Sequence, residues 1–335
     1  MNALLAFGCW LLAPYRQAKG AASCFGAGTA IPEHADQPMA SSHQPVAYSL
    51  SRHRFCTVRV MARMSSFFLS GLGLLTMGFA QSNKVSEPVG KSAPDQFHSL
   101  RTLHHTAFQA GEKLTYIVHY GWLNAGEATV ELKQSDREIQ GRKVLVATGK
   151  GRSLGAFNTF FKVDDHYESY FDAQGVFPWA FIRRVNEGGY TFSQDYVYNQ
   201  LKGEVTTQKK VTHKVPPSVQ DMLSAFYYAR TLDLGNAKPG DTYAIDCFLD
   251  DEIWPLRMKF VGKETIKLRN GKYRCMKFQP VVQEGRIFKD NNDLNVWITD
   301  DGNRIPVLAQ AKVLVGSIKM ELSGYEGLVH AIAKE

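Results

Sequence analysis

Residues 128–133 read Ala-Thr-Val-Glu-Leu-Lys, a strict alternation of apolar and polar side chains. Successive side chains of a β-strand point to opposite faces, so this pattern places one face in a core and the other in water. The same period of two returns at residues 256–260 and 318–322. One-sided alternation is typical of antiparallel sheets and argues against a parallel βαβ array.

Turn signals separate these strand candidates. The dipeptides at 174–175, 188–189, 270–271 and 301–302 are Gln-Gly, Gly-Gly, Asn-Gly and Asp-Gly. Glycine, with asparagine or aspartate before it, tolerates the positive φ angles of tight hairpins. Roughly a dozen strands are spaced in this way after Gly111. The sequence therefore predicts a mainly β fold, a large curved antiparallel sheet that is barrel- or sandwich-like.

One segment departs from this rhythm and predicts a helix. Ser218 is a suitable N-cap, and Asp221 stands at the capping-box position three residues later. An apolar face then continues to about Leu232. We expect this helix to pack on the sheet, between strand groups at 113–213 and 241–330. Its apolar face is formed by Val219, Met222, Phe226 and Ala229.

Residues 61–80 have the layout of a secretory signal peptide. Arg63 supplies a short positive region, residues 67–77 an apolar core, and residues 78–80 the small-x-small pattern of a cleavage site. We therefore predict cleavage after Ala80 and a periplasmic or secreted location. A buried apolar helix at 67–77 is the alternative interpretation.

Residues 1–60 precede this signal, although a secretion signal normally stands at the N-terminus of a protein. The preferred interpretation is a start site assigned too early, with Met61 or Met64 as the true beginning, and a genuine long leader is the alternative. Residues 81–110 are polar and lack periodicity, which predicts a flexible lead-in. A single β-rich domain is then expected over residues 111–330.

The net charge depends strongly on the leader. The whole chain of 335 residues carries +7, whereas the chain after Ala80 has 33 basic and 30 acidic residues, a net charge of +3. Basic and acidic residues alternate along it rather than cluster, so no nucleic-acid partner is predicted. No apolar run reaches the roughly 18 residues of a membrane-spanning helix, so no transmembrane segment is predicted.

Two of the five cysteines, Cys247 and Cys275, lie in the predicted domain. Export would place them in an oxidising compartment, which permits a disulfide between them. Two separately buried thiols are the equal alternative, because the sequence does not show the distance between the two side chains.

Residues 151–155, Gly-Arg-Ser-Leu-Gly, match the G-x-S-x-G pattern of a nucleophile elbow around Ser153. That motif needs a strand, a sharp turn and a helix in a parallel sheet, and the surrounding alternation predicts an antiparallel one. A glycine-rich connection between strands is therefore the favoured interpretation, and a hydrolase that uses Ser153 is the alternative.

A second polar row places Asp164, His166 and Glu168 on one face of a predicted strand. Carboxylates and imidazole in such a row could bind a metal or act as acid and base, although a solvated sheet face has the same composition. No zinc spacing, phosphate loop or dinucleotide fingerprint occurs in the sequence. We therefore predict no metal and no cofactor.

Aromatic residues are concentrated in the first half of the predicted domain. Aromatic pairs across strands stabilise antiparallel sheets, which explains much of this excess. A curved sheet lined with such rings also suits a lipid, an acyl chain or a sugar. We predict a concave pocket ringed by residues such as Tyr116, Trp179 and Phe226.

Five segments span nearly the whole predicted domain: residues 111–116, 220–228, 262–266, 296–307 and 315–322. They resemble an uncharacterised family of exported bacterial proteins, catalogued as domain of unknown function number 3108 and common in Bacteroidetes. The resemblance implies an exported, mainly β protein with its signal peptide just ahead of the domain. It implies no catalytic residues, and the extension ahead of the signal departs from the family.

From these features we expect an exported protein that binds an apolar or glycan ligand at the cell envelope, rather than an enzyme. One alternative is a hydrolase built on Ser153 or on the row of Asp164, His166 and Glu168. The other is a structural partner in a complex of envelope proteins, which predicts an exposed apolar patch.

Overall fold

The computed structural model describes residues 98–281, 294–312 and 317–335. The predicted signal peptide, the extension ahead of it and residues 81–97 of the lead-in lie outside these ranges. Within them the chain forms one sheet of fourteen strands and two helices. Neither of these helices has the length and hydrophobicity to span a bilayer.

Eight strands come from the first half of the domain and six from the second. The first eight are β1 (Lys113–Tyr120), β2 (Leu123–Ile139), β3 (Arg142–Ser153), β4 (Asp164–Asp172), β5 (Pro178–Glu187), β6 (Tyr190–Asn199), β7 (Glu204–Thr207) and β8 (Thr212–Lys214). The other six are β9 (Thr242–Leu249), β10 (Glu252–Leu268), β11 (Gly271–Pro280), β12 (Leu294–Thr299), β13 (Pro306–Lys312) and β14 (Ser317–Glu326). The short helix α1 (Phe157–Phe160) joins β3 to β4, and α2 (Met222–Thr231) lies between β8 and β9.

The two ends of the domain meet in the middle of the sheet. β1 pairs with β14, and the order continues outward through β2 to β8 on one side and through β13 to β9 on the other. All neighbouring strands are antiparallel. β8 and β9, which are consecutive in the chain, are therefore the two edges. This arrangement confirms the predicted fold class, a large antiparallel sheet with one helix packed on it.

The alternation that predicts the strands is visible in their burial. On β2, Val130 and Leu132 are buried and Lys133 is exposed. On β14, Met320 and Leu322 are buried in the same way. These side chains belong to one core, to which α2 also contributes. The buried face of the sheet is therefore the face that α2 covers.

The connection from β8 to α2 extends the edge at β9. The Gln220 N–H donates to the Asp246 carbonyl oxygen, and the Phe248 N–H donates to the Gln220 carbonyl oxygen, both at 2.8 Å. The turn between β9 and β10 also reaches the other half of the sheet, because Asp250 pairs with Arg183 on β5 at 3.3 Å. The two hydrogen bonds of Gln220 pair backbone groups that an edge strand would otherwise leave unpaired.

Helix α2 has a different N-cap from the one predicted. Asp221, rather than Ser218, is the cap: its carboxylate accepts from the N–H groups of Leu223 and Ser224, both at 2.8 Å. The Ser224 hydroxyl accepts from the Asp221 N–H in return (2.9 Å). Ser218 has a positive φ of 58°, and Gln220 is bonded to the β9 edge. The backbone just before Asp221 is therefore hydrogen-bonded to the sheet and cannot be part of the helix.

The two cysteines are separate buried thiols. Cys247 lies on β9 and Cys275 on β11, with β10 between them, and neither forms a disulfide. Burial raises the pKa of both thiols, that of Cys275 to about 12. The disulfide considered from the sequence is thus not present. Strands two places apart in a sheet are separated by about 9–10 Å, which is beyond the reach of a disulfide.

Candidate functional site

Helix α2 is the element around which the site is built, and a buried ion pair holds it. Arg230 faces Glu112, with an Nη1–Oε1 distance of 2.6 Å and an Nη2–Oε2 distance of 2.7 Å. Arg230 also donates to the carbonyl oxygens of Asn303 and Ala107, both at 2.8 Å. Both charged side chains are buried. Bidentate pairing of this kind is among the strongest polar contacts in proteins.

Arg230 stays charged in spite of its burial. Burial alone would lower the pKa of Arg230, but the hydrogen bonds and the charge of Glu112 outweigh it and raise that pKa above its ordinary value. Glu112 directly precedes β1, and Arg230 lies in the last turn of α2. The pair therefore joins the middle of the sheet to the helix.

The connection between β12 and β13 anchors the C-terminal end of α2. Asp301 Oδ1 accepts from the N–H groups of Asn303 (2.8 Å) and Arg304 (3.1 Å), and Arg304 adopts a positive φ of 51°. Arg304 Nη1 donates to the carbonyl oxygens of Arg230 and Leu232. The last carbonyls of a helix have no partner within it, and a cation there also complements the helix dipole.

The N-terminal end of α2 is anchored by its buried cap. The Ser169 hydroxyl on β4 donates to Asp221 Oδ2 at 2.5 Å. Burial raises the pKa of Asp221 to about 6, although its hydrogen bonds favour the ionised form. Three of the segments that carry the family resemblance, 111–116, 220–228 and 296–307, thus meet around α2.

An apolar pocket lies between α2 and the strands of the second half of the domain. Its volume, taken as the space open to the centre of a water-sized sphere, is about 40 Å³. By the same measure, a cavity that holds one water needs roughly 10–15 Å³. The pocket therefore has room for a small apolar group. Its walls come from α2 and from β9 to β13, and they include Met222, Phe226, Leu256, Met258, Val296 and Ile298.

The lining gives this pocket the chemistry of an apolar binding site. Its two charged side chains, Arg230 and Arg304, already bond to the partners described above. Met222 lies on the helix wall and Met258 on the sheet wall. Methionine side chains are flexible and polarisable, so such walls adapt to the shape of an apolar group.

The structure separates the three aromatic residues that the sequence analysis placed around one pocket. Phe226 lines the pocket beneath α2. Tyr116 is fully buried on β1, and Trp179 belongs to a separate small cluster with Val144 and Phe177. A role for all three in binding one ligand stays a prediction. The helix and strand periods identified the buried faces but could not show which strands oppose the helix.

Ser153 is the last residue of β3 and is buried. Its hydroxyl donates to Asn158 Oδ1 (2.5 Å) and accepts from the Val163 N–H (2.9 Å). The strand before it and the strand after α1 are antiparallel neighbours, whereas a nucleophile elbow belongs to a parallel sheet. In this structure the Ser153 hydroxyl fastens the connection between β3 and β4.

The row of Asp164, His166 and Glu168 lies on the more solvent-accessible side of β4, as the alternation predicts. His166 Nε2 lies 2.8 Å from Glu168 Oε1, and the Tyr170 hydroxyl donates to Glu168 Oε2 at 2.9 Å. Burial would raise the pKa of Glu168, but these hydrogen bonds lower it below its ordinary value. Among the described residues, no three histidine, cysteine or acidic side chains are placed to hold a metal ion.

A buried acidic pair joins β4 and β5: Asp165 lies on the opposite side of β4 from that row, and Glu187 is the last residue of β5. Asp165 and Glu187 are 1% and 4% exposed, and their carboxyl groups share a hydrogen bond. Burial raises the pKa of Asp165, and burial followed by the charge of Asp165 raises the pKa of Glu187 to about 7. Because a bond between two carboxyl groups needs a proton on one of them, this pair retains a proton near neutral pH.

Comparison with protein families supports the resemblance seen in the sequence. A family described as "Protein of unknown function (DUF3108)" matches residues 115–323. No curated protein matches the sequence.

Three solved structures are similar to this chain at low identity. A beta-barrel-like protein of domain of unknown function DUF1849 from Brucella abortus is 10% identical, with a TM-score of 0.43 over 66% of this chain and 98% of its own. A predicted exported protein with a YmcC-like fold from Bacteroides fragilis is 11% identical, with a TM-score of 0.31 over 68% and 100%. A predicted lipoprotein from Parabacteroides distasonis is 10% identical, with a TM-score of 0.30 over 67% and 99%.

Proposed function

This chain belongs to the DUF3108 family, whose function is unknown, and we propose that it binds the apolar part of an amphiphilic ligand, such as the end of an acyl chain, beneath α2. The observation that carries this proposal is the apolar pocket between α2 and β9 to β13. Burial of apolar surface is the main favourable contribution to binding at such a site.

The anchoring of α2 supports the same proposal. The helix is fixed at its N-terminal end by Asp221 and at its C-terminal end by Arg230 and Arg304. A wall held at both ends keeps the pocket formed before the ligand arrives. Binding to a preformed pocket avoids much of the entropy cost of ordering the site.

We expect Ala229→Phe to weaken binding of 11-(dansylamino)undecanoic acid, a fluorescent fatty acid, by at least about tenfold. Ala229 lines the pocket and is half-buried, so a phenyl ring at this position occupies the space that the acyl chain would take. The measurement is a titration of the dansyl fluorescence with purified protein, together with a thermal unfolding curve for each variant.

Ala244→Phe is the matched control. Ala244 is exposed on β9, next to Tyr243, which lines the pocket from the other face of the strand. This variant should bind the probe as the wild type does. Absence of probe binding by the wild-type protein, or equal binding by wild type and Ala229→Phe, would contradict the proposal. Native mass spectrometry that finds a co-purified sugar instead of a lipid would contradict the ligand class.

We also propose that the protein acts outside the cytoplasm, at the cell envelope. The signal-like sequence at 61–80 and the family resemblance support this location. Edman sequencing of the protein exported by its native host should begin at Gln81. A mature protein that retains Met1 and stays in the cytoplasm would rule out the location, without bearing on the pocket.

A further inference from the structure

We propose that one end of the sheet docks on an anionic lipid surface. Four large side chains project there, with exposed fractions of 86% for Trp122, 41% for Leu123, 86% for Phe160 and 57% for Tyr190. We call these four residues the apolar rim. The proposal is independent of the pocket beneath α2.

The three segments that carry the rim residues are hydrogen-bonded to one another. Trp122 and Leu123 lie at the hairpin between β1 and β2, Phe160 on α1, and Tyr190 at the hairpin between β5 and β6. The segment that carries α1 is tied to the first hairpin strand by the Leu154 N–H and the Ala125 carbonyl oxygen (3.0 Å). Neighbouring strands lie about 4.8 Å apart, so the rim extends over roughly 20 Å.

The second hairpin is tied to the same segment. The Gly188 N–H donates to the Lys162 carbonyl oxygen at 2.8 Å, and Val163 forms an isolated bridge with Glu187. These backbone contacts hold the two hairpins and the segment of α1 together at one end of the sheet.

Exposed apolar residues are concentrated at this end of the sheet. Single exposed apolar residues are normal on protein surfaces, so their distribution matters more than their number. The described part of the chain has nine exposed large apolar residues. Seven of these nine lie at the end of the sheet where β1, β3, β5, β7, β9 and β11 finish. These seven are the four rim residues together with Val211, Ile253 and Val281. The other two exposed residues, Val197 and Val329, lie elsewhere.

The charge near the rim complements an anionic surface. Lys162 lies in the connection that carries Phe160, and Lys209 and Lys210 lie in the turn between β7 and β8 at the same end. All three are exposed, and none forms an ion pair in the described ranges. Among the described residues at this end, the exposed acidic ones are Asp164 and Glu252. Basic residues beside a bilayer are attracted by anionic lipids.

The side-chain types favour a lipid surface over a protein partner. Tryptophan and tyrosine have an apolar body and a polar tip, and they concentrate at the headgroup level of membranes. A stable protein interface buries a broad, closely packed area, whereas the rim consists of side chains that project from separate turns. Side chains that project in this way can insert among the lipid headgroups.

Vesicle co-sedimentation tests the proposal with the full mature protein. Wild-type protein should sediment with vesicles of phosphatidylcholine and phosphatidylglycerol and much less with pure phosphatidylcholine. The double variant Trp122→Ser/Phe160→Ser should lose at least about fivefold in apparent affinity. Val197→Ser is the matched control, since Val197 is 61% exposed near the C-terminal end of β6, away from the end that carries Tyr190, and it should bind as the wild type does.

Charge reversal tests the electrostatic part. Lys209→Glu/Lys210→Glu should weaken sedimentation with the anionic vesicles and leave the thermal unfolding curve unchanged. Vesicle binding by Ala229→Phe should equal that of the wild type, which separates this proposal from the pocket. Equal binding by the rim variant and the wild type, binding that ignores phosphatidylglycerol, or capture of a protein partner without vesicle binding would each overturn the proposal.

Discussion

Replacing Arg230 with methionine should lower the free energy of unfolding by about 3–5 kcal/mol, because it leaves the Glu112 carboxylate buried without a cation beside it. Both side chains are almost completely shielded from water. The substitution also removes the hydrogen bonds to the carbonyl oxygens of Asn303 and Ala107. Urea denaturation followed by tryptophan fluorescence measures the change.

Arg184→Met is the matched control for this prediction. Arg184 pairs with Asp195 on the surface, where both side chains are well exposed, and exposed ion pairs contribute about 0–1 kcal/mol. The double variant Glu112→Leu/Arg230→Met should be more stable than Arg230→Met, because it removes the unpaired charge as well. Equal stability of Arg230→Met and Arg184→Met would show that the buried pair does not hold the helix.

Raising the pH from about 5 to about 8 should destabilise the wild type relative to Glu187→Gln by on the order of 2 kcal/mol. Glu187 has a raised pKa of about 7 in the folded protein, mainly because of burial. Between its ordinary pKa and this value the folded chain binds more protons than the unfolded chain. The free energy of unfolding therefore falls as the pH rises through that window, and the loss is complete above the folded-state pKa.

The comparison between variants isolates this effect. The lowered pKa values of His105 and His119, which burial causes, act in the opposite direction. Glutamine at position 187 removes one acid and can donate a hydrogen bond to the ionised Asp165 carboxylate. Glu168→Gln is the control, since Glu168 has a lowered pKa. Parallel pH profiles of unfolding for wild type and Glu187→Gln would show that the pair does not retain its proton.

The strands were predictable because their signals are local. The alternation at 128–133 lies within β2, and the Asn270-Gly271 and Gly188-Gly189 dipeptides fall at the β10–β11 and β5–β6 hairpins. The helix was predictable for the same reason, and it ends at Thr231, next to the predicted end. Each of these features depends on a few consecutive residues and on the period of the backbone.

The N-cap and the pocket were harder to predict because distant segments decide them. Ser218 has the right chemistry for a cap, yet the bridge between Gln220 and β9 starts the helix at Asp221. Phe226 was correctly identified as a residue of the helix face. Its position in the pocket depends on which strands lie opposite, and that is set by the order of the whole sheet.

By itself the sequence determined that this is a mainly β chain with a helix between its two groups of strands, because the side-chain periods and turn residues act over a few positions. Only the tertiary structure decided that β1 pairs with β14, that Glu112 faces Arg230, and that an apolar pocket remains beneath α2. These features join residues that are far apart in the chain. Their free energies depend on the register of all the strands between them, which no local pattern encodes.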